Sequence, residues 1–305
     1  MKQTFYVLTA LLAMLAIGLP GPARNAQAGP LQVFVSVAPQ SYFVNKIGGE
    51  RVSVSVMAPP GASPASYEPK PRQMRDLSEA VLYFAVGVPF ERAWLDRIRS
   101  ANPDMRVVRT QDGIAIRNMK GRHDHGRGEP HGEKHGDPHA VNRGIPDPHI
   151  WLSPPLVILQ ARNILTALVD ADPAHRDAYQ ANYKAFVAEA TDLDIHIQKT
   201  LAPATRRRFM VFHPSWGYFA DAYGLEQIPA EIEGKNPKPA DLQRLIGLAR
   251  ENDIRVIFVQ PQFSDRSARI IADAVGGGVA EADPLAENWA DNLRRTAERF
   301  AEAMQ

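Results

Sequence analysis

Apolar and polar positions follow two alternating rhythms along this chain. Residues 32–37, 51–56, 81–86 and 105–109 are short runs rich in β-branched and aromatic side chains, and they read as strands. Between them, residues 41–47, 71–79 and 91–100 have the length and apolar spacing of helices. Strict alternation of this kind predicts a parallel sheet covered on both faces. The rhythm then begins again, with strands at 209–213, 227–231, 255–260 and 278–283 and helices at 216–223, 239–251, 265–275 and 287–303. The pattern predicts an α/β protein of two lobes, each built on a parallel four-stranded sheet.

Between the lobes, Asp172-Pro173 opens a charged, amphipathic stretch that runs without Pro or Gly to about Leu201. As a helix of roughly 28 residues it spans about 42 Å at 1.5 Å per residue, enough for a stiff strut from one lobe to the other. Ahead of both lobes, Lys2 precedes an apolar run from Phe5 to about Leu19, followed by Ala26-Gln27-Ala28. That is the layout of a secretory leader cleaved after Ala28, and the apolar run is too short for a spanning helix. The domain boundaries expected from sequence are 1–28 for the leader, 29–171 for the first lobe, 172–201 for the linking helix and 202–305 for the second lobe.

Composition narrows the function. The chain has no cysteine, so lipidation at a cysteine, disulfides and thiolate metal ligands are not expected. Together with the leader, this points to a protein free in a periplasm. Its 35 basic and 34 acidic residues nearly balance, and nothing in them calls for nucleic acid or an anionic membrane. A monomer is the default for a shuttle.

One segment breaks the α/β pattern. Residues 121–140 have no apolar periodicity and are dense in Gly, Pro, charge and His, so a mobile loop is expected there. Five of the nine histidines lie in it, His123, His125, His131, His135 and His139, spaced two to six residues apart. Neutral imidazoles on a flexible chain bind zinc or copper weakly in several arrangements. A solvated insert without function is the plainer reading.

The sharper signals stand at strand ends, where open α/β sheets place their ligands. His149 lies in D-P-H-I-W-L-S-P, His213 ends F-M-V-F-H before P-S-W-G-Y-F, and Asp283 ends the last strand before P-L. Two imidazoles and a carboxylate suit zinc, and less selectively manganese, iron or copper. Each alone is ambiguous, since a histidine at a strand end is commonly structural and an Asp before Pro-Leu is commonly a helix cap. His175 and His196 fall in helical stretches and read as surface residues.

The segments P-G-A-S-P-A-S-Y-E-P (60–69), D-P-H-I-W-L-S-P (147–154), F-H-P-S-W-G-Y-F-A-D-A-Y-G-L (212–225), V-I-F-V-Q-P-Q-F-S (256–264) and A-D-P-L-A (282–286) resemble the zinc/manganese-type solute-binding proteins of ABC transporters. The resemblance spans nearly the whole chain after the leader, in the same order. It implies two Rossmann-like lobes joined by one rigid helix, a divalent metal held between them by four side chains, and delivery to a membrane permease. His149, His213 and Asp283 match three of those four positions. A histidine at 213 resembles the zinc branch, as does a histidine-rich loop ahead of D-P-H.

The fourth position departs from the pattern. Ala65 stands where the resemblance leads one to expect a histidine, and its methyl group binds nothing. Glu68 in the same loop is the nearest alternative ligand, although it belongs to a Y-E-P sequence with a structural look. A water, a histidine of 121–140 or a nearby carboxylate could complete the site. Two other functions compete with transport. Three protein ligands and a water would suit catalytic zinc, but the chain has neither H-E-x-x-H nor an evident general base. A periplasmic zinc buffer or chaperone acting through the histidine-rich loop is the second rival.

Overall fold

The computed structural model describes residues 29–119, 145–231 and 236–305. The leader read at 1–28 and the histidine-rich segment 121–140 lie outside the described residues. The first lobe runs β1 (Leu31–Val37), α1 (Ala38–Gly48), β2 (Val52–Ala58), α2 (Pro71–Asp76), β3 (Leu82–Ala85), α3 (Pro89–Ala101) and β4 (Arg106–Arg109). Its sheet has the order β2-β1-β3-β4, and every pairing is parallel. The central strands β1 and β3 are buried almost throughout, which is why they read as continuous apolar runs. The switch from β1 to α1 is fixed by Gln40, whose Oε1 accepts the N–H groups of Ser36 and Val37. Pro39 in the first turn lacks only an N–H that the helix would leave unpaired.

Two helices follow the first sheet. The first, α4 (Pro154–Ala171), is an addition to the elements expected from the pattern, and the second, α5 (Arg176–Leu201), is the strut expected from 172–201. A 3-10 turn at Pro173–His175 precedes α5, which leaves 26 helical residues, or about 39 Å. The buried residues of α5, Tyr179, Phe186, Ala190, Leu193, Ile197 and Leu201, keep to one stripe at spacings of three, four and seven. Asn182 of α5 donates to the Ile47 carbonyl of α1 at 3.0 Å, tying the helix to the first lobe. Further along, Asp194 accepts the Tyr223 hydroxyl of the second lobe at 2.8 Å.

The second lobe repeats the first: β5 (Arg208–Val211), α6 (Gly217–Ala222), β6 (Glu226–Pro229), α7 (Pro239–Glu251), β7 (Val256–Val259), α8 (Arg266–Ala274), β8 (Gly278–Glu281) and α9 (Trp289–Ala303). Its sheet is also all parallel, in the order β6-β5-β7-β8. Strands end slightly earlier than the pattern predicts, so His213 and Asp283 each lie two residues beyond their strands, in the loops at the carboxyl edge of the sheet. The point where strand order reverses, between β5 and β7, lies beside His213 and is the crevice position for a ligand in this architecture.

Entry into β8 depends on a bare backbone. A Cβ on Gly277 would lie 1.7 Å from the Arg255 carbonyl oxygen, beside the bond by which Gly278 N–H joins that oxygen. Gly277→Ala is therefore expected to lower stability by about 2–3 kcal/mol through overpacking against backbone. The check is the urea midpoint, which should fall at constant slope; an unchanged midpoint would show that β8 shifts at no cost.

The lobes share one apolar core. A single cluster runs from Val33 and Phe84 in the first sheet through Leu193 and Ile197 of α5 to Phe209, Trp216 and Phe300 in the second lobe. A smaller cluster around Met210, Leu245, Ile257 and Ile271 fills the far face of the second sheet. At the seam, Trp151 donates its indole N–H to the Pro284 carbonyl, and Trp289 donates its own to the Trp151 carbonyl, both at 2.7 Å. Among the described residues, no helix is long and apolar enough to cross a membrane.

Candidate metal centre

His149 and His213 come from different lobes and meet. Their ring centroids are 5.4 Å apart at an interplanar angle of 69°. His149 starts the 3-10 turn Ile150–Leu152, while His213 sits just past β5. Each ring is backed by a buried carboxylate. Asp147 Oδ1 lies 2.7 Å from His149 Nδ1 and also accepts the His149 backbone N–H. Glu231 Oε1 lies 2.9 Å from His213 Nδ1. An ionised carboxylate only accepts, so in the neutral form of either ring Nδ1 carries the proton and Nε2 offers its lone pair. This carboxylate–imidazole arrangement fixes ring orientation and strengthens a metal-ligating nitrogen.

Burial favours the neutral ring of His149. Burial holds the His149 imidazole below the usual histidine range, and the hydrogen bond and negative charge of Asp147 oppose that shift without reversing it. Trp151 flanks His149 edge-on with centroids 5.2 Å apart, and Phe263 stacks on His213 at 5.3 Å and 28°. Gln260, at the end of β7, brackets the His213 backbone: its Oε1 accepts the N–H at 3.2 Å and its Nε2 donates to the carbonyl at 2.7 Å. A partly buried pair of nitrogen donors, each fixed from behind, is what a borderline-soft divalent cation requires.

The other residues singled out by sequence are placed as follows. Asp283 Oδ1 accepts the Leu285 N–H at 2.9 Å and the Gln262 amide at 3.0 Å, so this oxygen caps its own loop. Among the described residues no three His, Asp or Glu side chains are gathered as one metal site. The two histidines are brought together; Asp283 is not assembled with them into such a group. Ala65 and Glu68 are exposed, and Tyr67 between them anchors the loop by donating to Gln73 Oε1 at 2.6 Å. His175 pairs with Asp172 on the surface, and His196 approaches Thr200 on the same helix. His123, His125, His131, His135 and His139 lie outside the described residues.

Sequence reasoning overlooked Asp147, Glu231 and Gln260. The spacing D-P-H could have indicated Asp147, since an Asp two residues before a histidine folds back onto its backbone N–H. Glu231 follows from register: Val211 pairs with Pro229, so two residues on, 213 and 231 stand side by side.

Known proteins resemble the chain along its length. The family model described as zinc-uptake complex component A, periplasmic, matches residues 33–303. The high-affinity zinc uptake system protein ZnuA of Bacillus subtilis (strain 168) is 28% identical over 258 residues, covering 83% of this chain and 78% of that protein. The manganese-binding lipoprotein MntA of Halalkalibacterium halodurans is 24% identical over 320 residues, covering 99% and 97%. A crystal structure of ZnuA superposes with a TM-score of 0.81 at 40% identity, over 90% of this chain and 100% of that one.

Proposed function

Because the chain belongs to the family of zinc-uptake complex component A, periplasmic metal-binding proteins that serve ABC-type uptake and are not enzymes, we propose that its cargo is zinc, held between the lobes. The observation that carries this reading is the meeting of His149 and His213, each backed by a buried carboxylate. Two imidazole nitrogens favour zinc over manganese, which prefers oxygen donors. Asp283 is the third protein ligand in this proposal, reached by a small approach of its loop toward the two rings. A water or a histidine of residues 121–140 supplies the position that Ala65 leaves vacant, and a tethered imidazole would be present there at high effective concentration. Glu68 is the remaining carboxylate within that loop.

The proposed cycle begins with export behind the leader at residues 1–28. The monomer then captures the ion by a small tilt of the lobes, because a continuous helix resists bending more than loop crossovers do. A permease recognises the loops around the loaded cleft and drives release, since zinc offers no redox step to loosen it. Ala65 favours a second reading, in which the histidines of 121–140 buffer periplasmic zinc and the cleft is weak. Zinc titration by calorimetry of the leaderless protein, beside one lacking residues 121–140, separates the two. Transport through the cleft requires one site that survives the deletion and is abolished by His213→Ala, its affinity unchanged if water completes it and weakened by more than about a hundredfold if the segment lends a ligand. Loss of all zinc binding with the segment, leaving nothing that depends on His213, would overturn the cleft reading and establish the buffer.

A further inference from the structure

One arginine joins the lobes directly behind the metal centre. Arg117 belongs to the first lobe, yet its Nη1 lies 2.7 Å from Asp221 Oδ2 on α6 of the second. Its Nε lies 3.7 Å from Asp147 Oδ2, the oxygen that points away from His149 and is buried without a hydrogen-bond partner. The backbone takes part as well. Arg117 N–H donates to the Tyr218 hydroxyl at 3.0 Å, that hydroxyl donates to the Asp147 carbonyl at 3.1 Å, and Asp147 N–H donates to the Arg117 carbonyl at 2.9 Å. The guanidinium carbon stands 5.6 Å from the centre of the Tyr218 ring.

The seat for this side chain is made of glycine. A Cβ on Gly217 would lie 2.6 Å from Arg117 Nη1, 2.7 Å from its Cζ and 3.0 Å from Asp147 Oδ2. No residue but glycine leaves room at the start of α6 for the guanidinium and the carboxylate together. Gly217 stands four residues after His213, so the seat and the second histidine belong to one short segment.

We propose that Arg117, seated on Gly217, is a positioning residue for the metal centre, tying the carboxylate that orients His149 to the lobe that carries His213. This rests on the reading of the two histidines as zinc ligands. Asp147 is deeply buried, and a buried carboxylate without its cation turns toward whatever donor or water it can find. Its hold on His149 Nδ1 would then loosen. A planar fork meets two carboxylates from different directions at once, which a lysine ammonium on a flexible stem does not reproduce. Arg117 therefore acts through Asp147 and not by touching the ion.

The test uses the leaderless full chain in three forms, Arg117→Met, Gly217→Ala and the double variant. In the metal-free proteins, nitrogen NMR of labelled histidine reports the tautomer of each ring, assigned with His149→Ala and His213→Ala. The expected result is that both single variants blur the fixed Nδ1–H tautomer of His149 and leave the His213 signals as they were. Zinc affinity should fall about tenfold in each, in line with loss of an outer-shell partner. The double variant should be no worse than the poorer single, because both changes remove the same contact. Gly217→Ala leaves every charge in place, so the prediction stands even if Arg117→Met folds poorly. Unchanged His149 signals in the Gly217→Ala protein, or additive losses in the double variant, would overturn the inference. If zinc binding ignores His149→Ala and His213→Ala, the ligand reading fails, while the ring spectra of the metal-free proteins still decide the role of Arg117.

Discussion

His213→Ala is expected to weaken zinc binding by more than about a hundredfold, a loss that His149→Ala should match. The magnitude follows from the pair of imidazoles. Losing an outer-shell partner typically costs about 10- to 100-fold in metal affinity, and losing the coordinating nitrogen itself costs more. A hundredfold corresponds to roughly 2.8 kcal/mol. Glu231→Gln provides the internal scale: the ring stays, its backing changes from a carboxylate to a neutral amide, and the loss should remain within about 10- to 100-fold. Competition against a chromophoric chelator measures both. His213 is partly accessible, but its removal leaves the buried Glu231 carboxylate without its hydrogen-bond partner, so the melting temperature of the metal-free protein should fall by a few degrees. Tight binding that persists in both His213→Ala and His149→Ala would place the cargo elsewhere.

Trp289→Ala should destabilise the protein by about 3–5 kcal/mol, the usual cost of emptying a large aromatic site in a core. Trp289 is 1% exposed and meets Phe43 of the first lobe edge-on, with ring centroids 5.1 Å apart. Phe186 of α5 lies 6.1 Å away on another side. The residue thus joins both lobes and the linking helix, and its loss should be felt by the whole molecule. For a chain of this size the expected fall in melting temperature is about 5–9 °C. Trp289→Phe keeps most of the volume but deletes the N–H donated to Trp151, and should cost about 1–3 kcal/mol because the Trp151 carbonyl is left buried and unpaired. Calorimetry of the metal-free variants would show it. A melt that splits into two well-separated steps in the unaltered protein would contradict a shared core.

The fold was legible because its strands carry their burial in the sequence. β1 and β3 are buried on both faces and spell continuous apolar runs, while α5 is amphipathic with no breaker from end to end. α4 was overlooked although Ser153-Pro154 opens it and Val157, Ala161, Ile164 and Leu168 recur at helical spacing, because the continuous apolar run Leu156 to Leu159 obscures that face. The histidines were visible as strand-end residues, but their partners were not. Glu231 comes to His213 by strand register, and Arg117 comes to Asp147 from the other side of the histidine-rich stretch. Both depend on tertiary placement, which periodicity does not encode. Asp283 reads as a ligand from its motif, whereas in the folded chain one of its oxygens is committed to the Leu285 N–H.

If the two halves stay packed on their shared core through the proposed cycle, the shuttle keeps nearly the same outline full and empty. Its receptor would then meet two populations that differ by a small tilt and a few loops around a crevice. Recognition by shape would admit both, and the empty copies, which accumulate as delivery proceeds, would compete for the same docking surface. Selectivity at that step has to come from contacts made only when the crevice loops are ordered by the ion. The rigidity that suits the protein to holding a small cation thus passes the burden of discrimination to its partner, which must be fastidious at close range.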